Sequence, residues 1–486
     1  MLTFEEIKHF IEEDMTDPLK IKAREGNRYY EGEHDILNYR LFYWNADGDL
    51  VEDKTRSNFR IPHTFFTELV DQAVQHILSG GDIFKSDLPE LQTELDKYFN
   101  QNESFTAELA ETITGMQAKG FDYMYAYKGE DDRLCFENAD SLGVIEVEGR
   151  FAEDGKNQVI YRYLDRIDKD NHKQWKIRVI DDAATYYYRQ TDSGDIEEDD
   201  TVEMNPRPHA IYMKKGQLFT KDLGFLPVFR LDNNKKRFSH LKSVKPLIDD
   251  YDLMASSLTN NLVDFDTPIH VVKGFQGDNL DQLQTNLKTK KLIGVDEDGG
   301  VDVKTVDVPY QARVAKLELD ERSIYKFGFG LNLAGMKDTA ATTNIAIKSA
   351  YSLLELRCSK IINQLKPFLR KILKVVLQEI NDQQGTDFRN EQVYFDFEPE
   401  IMANESENAQ NDLVEAQEQQ ARINTLLGLA SYLDNDTLIQ NICSVLDIDY
   451  EEIKGKLPDP DEAMNSIGGA AAQLGGVEPF GGGVSE

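Results

Sequence analysis

Apolar residues recur along this chain at two periods, and the places where the period changes divide it into segments. Up to about residue 40 the spacing is helical, and the turn-forming NADGDL at 45–50 closes that stretch. In SNFRIPHTFFTELVDQAVQHILSGG, residues Phe66, Leu69, Val70, Ala73, Val74 and Ile77 fall three and four apart, as on one face of a helix. Pro62 is expected to open that helix and the Gly80-Gly81 pair to close it. Another helix is predicted over about 104–119, ending at Gly120. From 121 to about 230 the period shortens to two. FDYMYAYKG, RLCFENA, GVIEVEG, QVIYRYLDRI, QWKIRVIDD, TYYYRQ and HAIYMKKG are short alternating runs split by acidic or Gly turns, which predicts antiparallel strands.

The helical period returns at Leu241. Leu241, Val244, Ile248, Tyr251, Ala255, Leu258, Leu262 and Phe265 step alternately by three and four, a stripe of period about 3.5 on one long helix. Ser243 and Pro246 suit its first turn, and Pro268 ends it. PIHVVKGF then reads as a strand and GDNLDQLQTNLKTK as a short helix. KLIGVDEDGGVDVKTVDVP reads as a hairpin turning at Gly299-Gly300. A second helix is predicted over about 310–327, so a small αβ module sits between two helices. After the Gly/Ala/Thr-rich GFGLNLAGMKDTAATTN comes a very long helix, about 344–382, with Pro367 expected to kink it near Lys366. EQVYFDFEP reads as a strand, 405–434 and 435–446 as helices, and the Gly/Ala-rich end as a disordered tail. The fold class expected is α+β.

Composition narrows the function. The 486 residues carry a formal charge of -34, which argues against a protein that coats nucleic acid. The three cysteines, Cys135, Cys358 and Cys443, lie far apart and suggest neither a disulfide framework nor a zinc site. The acidic amphipathic start does not read as a signal peptide, and no apolar run reaches the roughly 20 residues of a membrane span, so no membrane role is expected. The sequence has no P-loop, GxSxG or HExxH pattern, and its histidines are scattered; no cofactor is implied. Asp249 and Asp252 in IDDYD share a helix face and could be drawn as a metal site; the competing reading is a solvated face beside the apolar stripe. Basic residues cluster in NNKKRF (Lys235, Lys236, Arg237), followed by Lys242 and Lys245, and in NLKTKK (Lys288, Lys290, Lys291). They suit DNA phosphate, an acidic protein partner or local acids. Lys348, Arg357, Lys360, Lys366, Arg370, Lys371 and Lys374 make the long helix basic, which suggests salt bridges between elements or subunits.

Taken in order, LPVFRLDNN, LKSVKPLIDDYDLMASSLTNNLVDFDTPIHVVKG, IPHTFFTELVDQAVQHILSGG and GMKDTAATTNIAIKSAYSLLELRCSKIINQLKPFLRKILKVV resemble segments of the tailed-bacteriophage portal proteins of the Bacillus phage SPP1 type. The likeness spans about 61–398. It implies a ring, dodecameric in the virion, around a tunnel for double-stranded DNA. Its partners would be the terminase large subunit, the major capsid and scaffolding proteins, and the head-completion or adaptor proteins. By position, 1–238 with the strand near 391–400 would be the wing. Residues 239–267 and 309–328 would be the stem helices, 268–308 the clip, 329–345 the tunnel loop, 346–400 the long kinked wing helix and strand, 401–460 the crown and 461–486 the tail. Lys337, Asp338, Thr339 and Thr342 would approach DNA. Lys288, Lys290 and Lys291 would meet clip partners, and Ile248, Tyr251, Ala255, Leu258 and Leu262 would pack the stem. The family has no catalytic residues of its own. Two other readings stand beside it: a metal-dependent nuclease or hydrolase using Asp249 and Asp252, and another head-tail adaptor.

Overall fold

The computed structural model describes residues 2–129, 133–151, 155, 157–166, 173–214, 217–221, 223–265, 269–275, 295–304, 309–332, 344–397, 405–429, 433 and 435–445. The short helix expected over 277–290 lies outside them, as do Lys288, Lys290, Lys291, Lys337, Asp338, Thr339, Thr342 and the C-terminal tail. The chain forms two compact units, Met1–Asp338 with Lys348–Ile401, and Thr339–Ile347 with Met402–Glu486.

In the first unit the N-terminal segment is two helices, α1 (Phe4–Thr16) and α2 (Pro18–Tyr30). They part at Asp17, whose carboxylate accepts the Leu19 N–H while Pro18 occupies the first helical position. Strands β1 (Phe42–Trp44) and β2 (Leu50–Glu52) make a hairpin around the NADGDL turn. The helix α3 (Phe65–Leu78) starts three residues after Pro62, which instead belongs to an irregular strap leading into it. Then come β3 (Phe84–Lys85), α4 (Pro89–Leu95) and α5 (Glu103–Lys119). Gly120 ends α5 at φ 98°, in the left-handed region that glycine tolerates.

The period-two region folds as expected into antiparallel strands: β4 (Phe121–Lys128), β5 (Leu134–Ala139), β6 (Val144–Val147), β7 (Gln158–Arg166), β8 (Lys173–Ile180), β9 (Ala184–Gln190), β10 (Ile196–Glu198), β11 (Arg207–Pro208), β12 (Ala210–Lys214), β13 (Gln217–Lys221) and β14 (Val228–Asp232). The larger sheet runs β10-β9-β8-β7-β6 with β11 on β9, and a second runs β14-β4-β5. There follow α6 (Lys245–Phe265), β15 (Ile269–Phe275), β16 (Val295–Lys304), α7 (Tyr310–Gly328), α8 (Asn344–Gln384) and β17 (Tyr394–Phe395), which pairs with β3.

One expectation fails here. Gly299-Gly300 is not a hairpin turn. Both glycines lie within β16, and Gly300 faces Lys273 of β15 just where the register slips between Lys273 and Phe275. A glycine pair inside a strand marks an irregularity as readily as a turn. The long helix α8 runs through Pro367 as one element. Its Leu365, Leu369, Ile372, Leu373 and Val376 are fully buried in the main core, which also holds Phe66, Leu69, Val70 and Ala73 of α3. In the second unit, α9 (Glu405–Gly428) and α10 (Asn435–Val445) pack on each other.

Candidate functional site

The features that set this chain apart from an ordinary α+β fold converge on α6, α7 and what holds them. The chain reaches α6 through a fixed corner. Asn234 Oδ1 accepts the N–H groups of Lys236 and Phe238, and both Asn233 and Asn234 donate to the Phe238 carbonyl. Arg237 takes φ 53°, and its carbonyl lies so close to Gly120 that an added Cβ would sit 2.2 Å away. The Asn-Asn corner is therefore stitched to the end of α5, and Ser239 caps the short turn His240–Ser243 that precedes α6.

The basic residues around this corner do not act as one patch. Lys245 points into its own subunit, 2.6 Å from Asp35 and 2.8 Å from Asp249, with its ammonium 4.8 Å from the Tyr29 ring centre. Burial pulls its pKa down, but the Asp249 and Asp35 bonds outweigh that and hold it above the usual lysine range. Lys242 stacks 3.8 Å from the Phe238 ring centre. Lys235 and Lys236 are exposed, with no ion-pair partner among the described residues.

Asp252 is the largest departure from the sequence reading. It lies fully buried, not on a solvated face. Its Oδ2 is 2.6 Å from His34 Nδ1; its Oδ1 is 2.9 Å from His63 Nδ1 and accepts the His63 N–H at 2.8 Å. Burial raises the Asp252 pKa, but the bonds from His34 and His63 prevail and hold it below the usual carboxylate range. Asp249, half-exposed, takes bonds from Tyr29 and Lys245 instead. The two carboxylates thus serve separate partners, and no metal-holding group of three or more His, Cys, Asp or Glu occurs among the described residues. Sequence spacing could not pair Asp252 with His34 and His63, because both lie nearly two hundred positions away or more.

The strap ahead of α3 follows α6 in register. The N–H groups of Ser57, Phe59, Ile61 and His63 donate in turn to the side chains of Asp264, Asn260, Ser256 and Asp252, at 3.1, 2.7, 3.0 and 2.8 Å. Every second strap residue meets every fourth helix residue. Two residues of extended chain advance about 6.6 Å and four of helix about 6 Å, so the two repeats stay in step. No hydrophobic periodicity could reveal this ladder, because its acceptors are polar residues off the apolar stripe.

Helices α6 and α7 pair antiparallel. His240 Nε2 donates to the Gly328 carbonyl at 2.9 Å at one end, and Lys316 bridges Asp250 and Asp320 farther along. Burial and the nearby Arg357 and Lys360 charges push His240 down to about 3, so its ring is neutral. Between the helices, β15 and β16 pair from Ile269–Lys304 outward, so the chain leaves one helix and returns beside it. The apolar stripe of α6 is graded. Leu241 and Val244, which lie in the turn before α6 rather than on the single helix expected from Leu241, are buried with Ile248; Tyr251, Ala255 and Leu258 are half-buried; Leu262 is 47% exposed.

Arg357 of α8 locks the base of this pair. Its fully buried guanidinium donates to the Leu69 carbonyl at 2.6 Å, to the Gly328 carbonyl at 3.4 Å and to Gln117 Oε1. No carboxylate pairs with it among the described residues, so here the expected salt bridge is replaced by neutral acceptors from α3, α7 and α5. Burial lowers its pKa to about 9. Arg370 similarly bonds the Asn390 carbonyl and lies 4.5 Å from the Phe395 ring centre.

The chain resembles known proteins over most of its length. A portal protein of Bacillus phage SPP1 is 28% identical over 371 residues, 75% of this chain and 70% of that protein. A portal protein of Clostridium phage phiCD119 is 26% identical over 189 residues, 38% of this chain and 41% of that one. A solved chain from a structure titled "Neck of native GTA particle computed with C12 symmetry" matches at 11% identity with a TM-score of 0.35, over 79% of this chain and 91% of that one, too loosely to carry an argument. The family model described as phage portal protein, SPP1 Gp6-like, matches residues 9–454, and the chain therefore belongs to that family.

Proposed function

We propose that the chain is the subunit of a portal ring, dodecameric in the virion, set at one capsid vertex. Double-stranded DNA is driven in through its tunnel by the terminase motor and later leaves the same way. The ring also nucleates the procapsid with major capsid and scaffolding proteins, and joins head to tail through head-completion or adaptor proteins. The observation that carries this reading is the antiparallel pair α6 and α7 interrupted by the β15–β16 unit, since a tunnel wall with a protruding docking module needs that form. On this reading α6 and α7 are the stem, 268–308 the clip, 329–345 the tunnel loop, 1–238 with 391–400 the wing, and 401–460 the crown. The subunit positions and conducts; the chemistry belongs to the terminase. The high negative charge suits a conduit, because carboxylates repel phosphate and leave DNA free to slide.

The graded stripe supports the same reading. Its buried half holds the stem to its own subunit, and its exposed half, ending at Leu262, is left for a neighbour. A cyclic assembly makes such contacts heterologous, and they close into a ring when the rotation permits. Native mass measurement and negative-stain microscopy of the purified chain test this. Rings of about twelve or thirteen subunits are expected; a monomer or dimer under every condition overturns it. Removing the segment around Lys337, Asp338, Thr339 and Thr342 should leave rings intact but impair filling or retention of DNA; unchanged filling and retention would refute a role for that segment.

A further inference from the structure

The hairpin β1–β2 has no interior. Phe42, Tyr43, Trp44, Leu50 and Val51 are all exposed, Trp44 at 71%, and they occupy both faces of the two strands. Isolated two-stranded hairpins are marginal in water, and apolar patches of this kind mark interaction sites. Yet the hairpin is not loosely attached. The chain leaving it runs straight into the strap laddered onto α6, and Phe59, also exposed, continues the patch along that helix toward exposed Leu262 and Val263. The hairpin is thus an apolar arm with a rigid root on α6.

We propose that this arm docks on a second copy of the chain, against the outer face of α7; the inference rests on the ring reading above. Three observations select this occupant. First, the arm's turn carries Asp47 and Asp49, and neither side chain has an ion-pair partner among the described residues. The outer face of α7 offers exposed Leu319 and Phe327 beside exposed Arg322 and Lys326, which likewise have no ion-pair partner among the described residues. Apolar and acidic groups on one surface meet apolar and basic groups on the other. Second, the arm's root and α7 occupy different faces of the same helix. At 100° per residue, the ladder positions Asp252, Ser256, Asn260 and Asp264 centre roughly 100° round α6 from Asp250, which faces α7. One copy therefore presents both surfaces at once, as a heterologous repeat needs. Third, Phe42, Trp44 and Leu50 share one face of the hairpin and each exposes half or more of its surface, a contiguous apolar patch of the kind that marks an interaction site.

The test compares the full chain with Phe42→Ser/Trp44→Ser/Leu50→Ser by native mass spectrometry, with circular dichroism and urea unfolding of both as a fold check. If the wild type forms no ring, the ring reading fails and this inference with it. If the wild type forms rings, the triple variant is expected to keep the same unfolding midpoint and to need at least tenfold higher concentration to assemble. Rings formed at the wild-type concentration overturn the arm alone. A photo-crosslinking residue at position 44 covers the case in which the triple variant misfolds. It should join copies through peptides of 310–328; crosslinks confined to the same copy, or reaching only other segments of the neighbour, refute the proposal.

Discussion

Replacing Asp252 with Ala removes the acceptor at the deep end of the strap ladder. Three bonds go at once: those from His34 Nδ1, His63 Nδ1 and the His63 N–H, at 2.6, 2.9 and 2.8 Å. Removing a buried carboxylate leaves its donors without an acceptor, at about 1–3 kcal/mol each, so Asp252→Ala should lose about 3–5 kcal/mol in all. Asp264→Ala removes one bond, to the Ser57 N–H, at the partly exposed end of the same ladder. It should cost about 0.5–1.5 kcal/mol. Urea unfolding gives both numbers. Trypsin gives a local reading, since Arg56 precedes the ladder, Arg60 lies within it, and both should be poorly cut while it is closed. Asp252→Ala should expose the Arg60–Ile61 bond to cleavage under native conditions, and Asp264→Ala should affect chiefly the Arg56–Ser57 bond. Acid provides a third check. The Asp252 pKa is depressed on folding, so its contribution is complete above the unfolded carboxylate value of about 3.9 and is lost as pH falls through the folded value. Asp252→Asn should therefore unfold with a shallower pH dependence below about pH 4 than the wild type. An Asp252→Ala protein within about 1 kcal/mol of wild type, with unchanged cleavage at Arg60, would refute the ladder as a structural element.

Gly120→Ala should lose about 2–3 kcal/mol in urea unfolding, since φ 98° is strained for alanine and its Cβ would meet the Arg237 carbonyl. Arg357→Leu should cost about 2–5 kcal/mol by orphaning the Leu69 carbonyl and Gln117 Oε1; Arg357→Lys should restore only part of it, because one ammonium cannot span both. Lys288→Ala/Lys290→Ala/Lys291→Ala should leave ring assembly unchanged but weaken terminase or adaptor binding at least fivefold in a pull-down or interferometry titration. Equal binding at low and high salt would exclude a charge contact there.

The placement of elements was largely legible in the residues, because burial imposes a period. The switch from helical to alternating spacing at Phe121 marks the true start of the continuous strand region β4–β14. The helices expected over about 310–327 and 344–382 are Tyr310–Gly328 and Asn344–Gln384. Gly120 was readable as a helix end because only glycine takes its φ cheaply. Where a signal had two physical meanings, the sequence left the choice open. A glycine pair can turn a hairpin or disturb a strand, and at Gly299-Gly300 the pairing with β15 selected the second. Carboxylates in the first turns of a helix are ordinarily solvated. Asp252 is buried because His34 and His63 arrive from far upstream. Arg357 looked like half of a salt bridge, and the convergence of α3, α5 and α7 supplied carbonyl and amide acceptors instead.

The sequence by itself determined where most of the helices and the main run of strands lie, that a small unit interrupts two long helices, and which family the order of segments resembles. These are local or ordered properties, written in spacing and composition. The tertiary structure decided which polar groups find one another: the strap on α6, the histidines on Asp252, the guanidinium among neutral acceptors, and the arm left uncovered. Hydrogen bonds between groups some two hundred residues apart carry no periodic trace in the chain. They depend on the distance and direction that only the folded backbone sets.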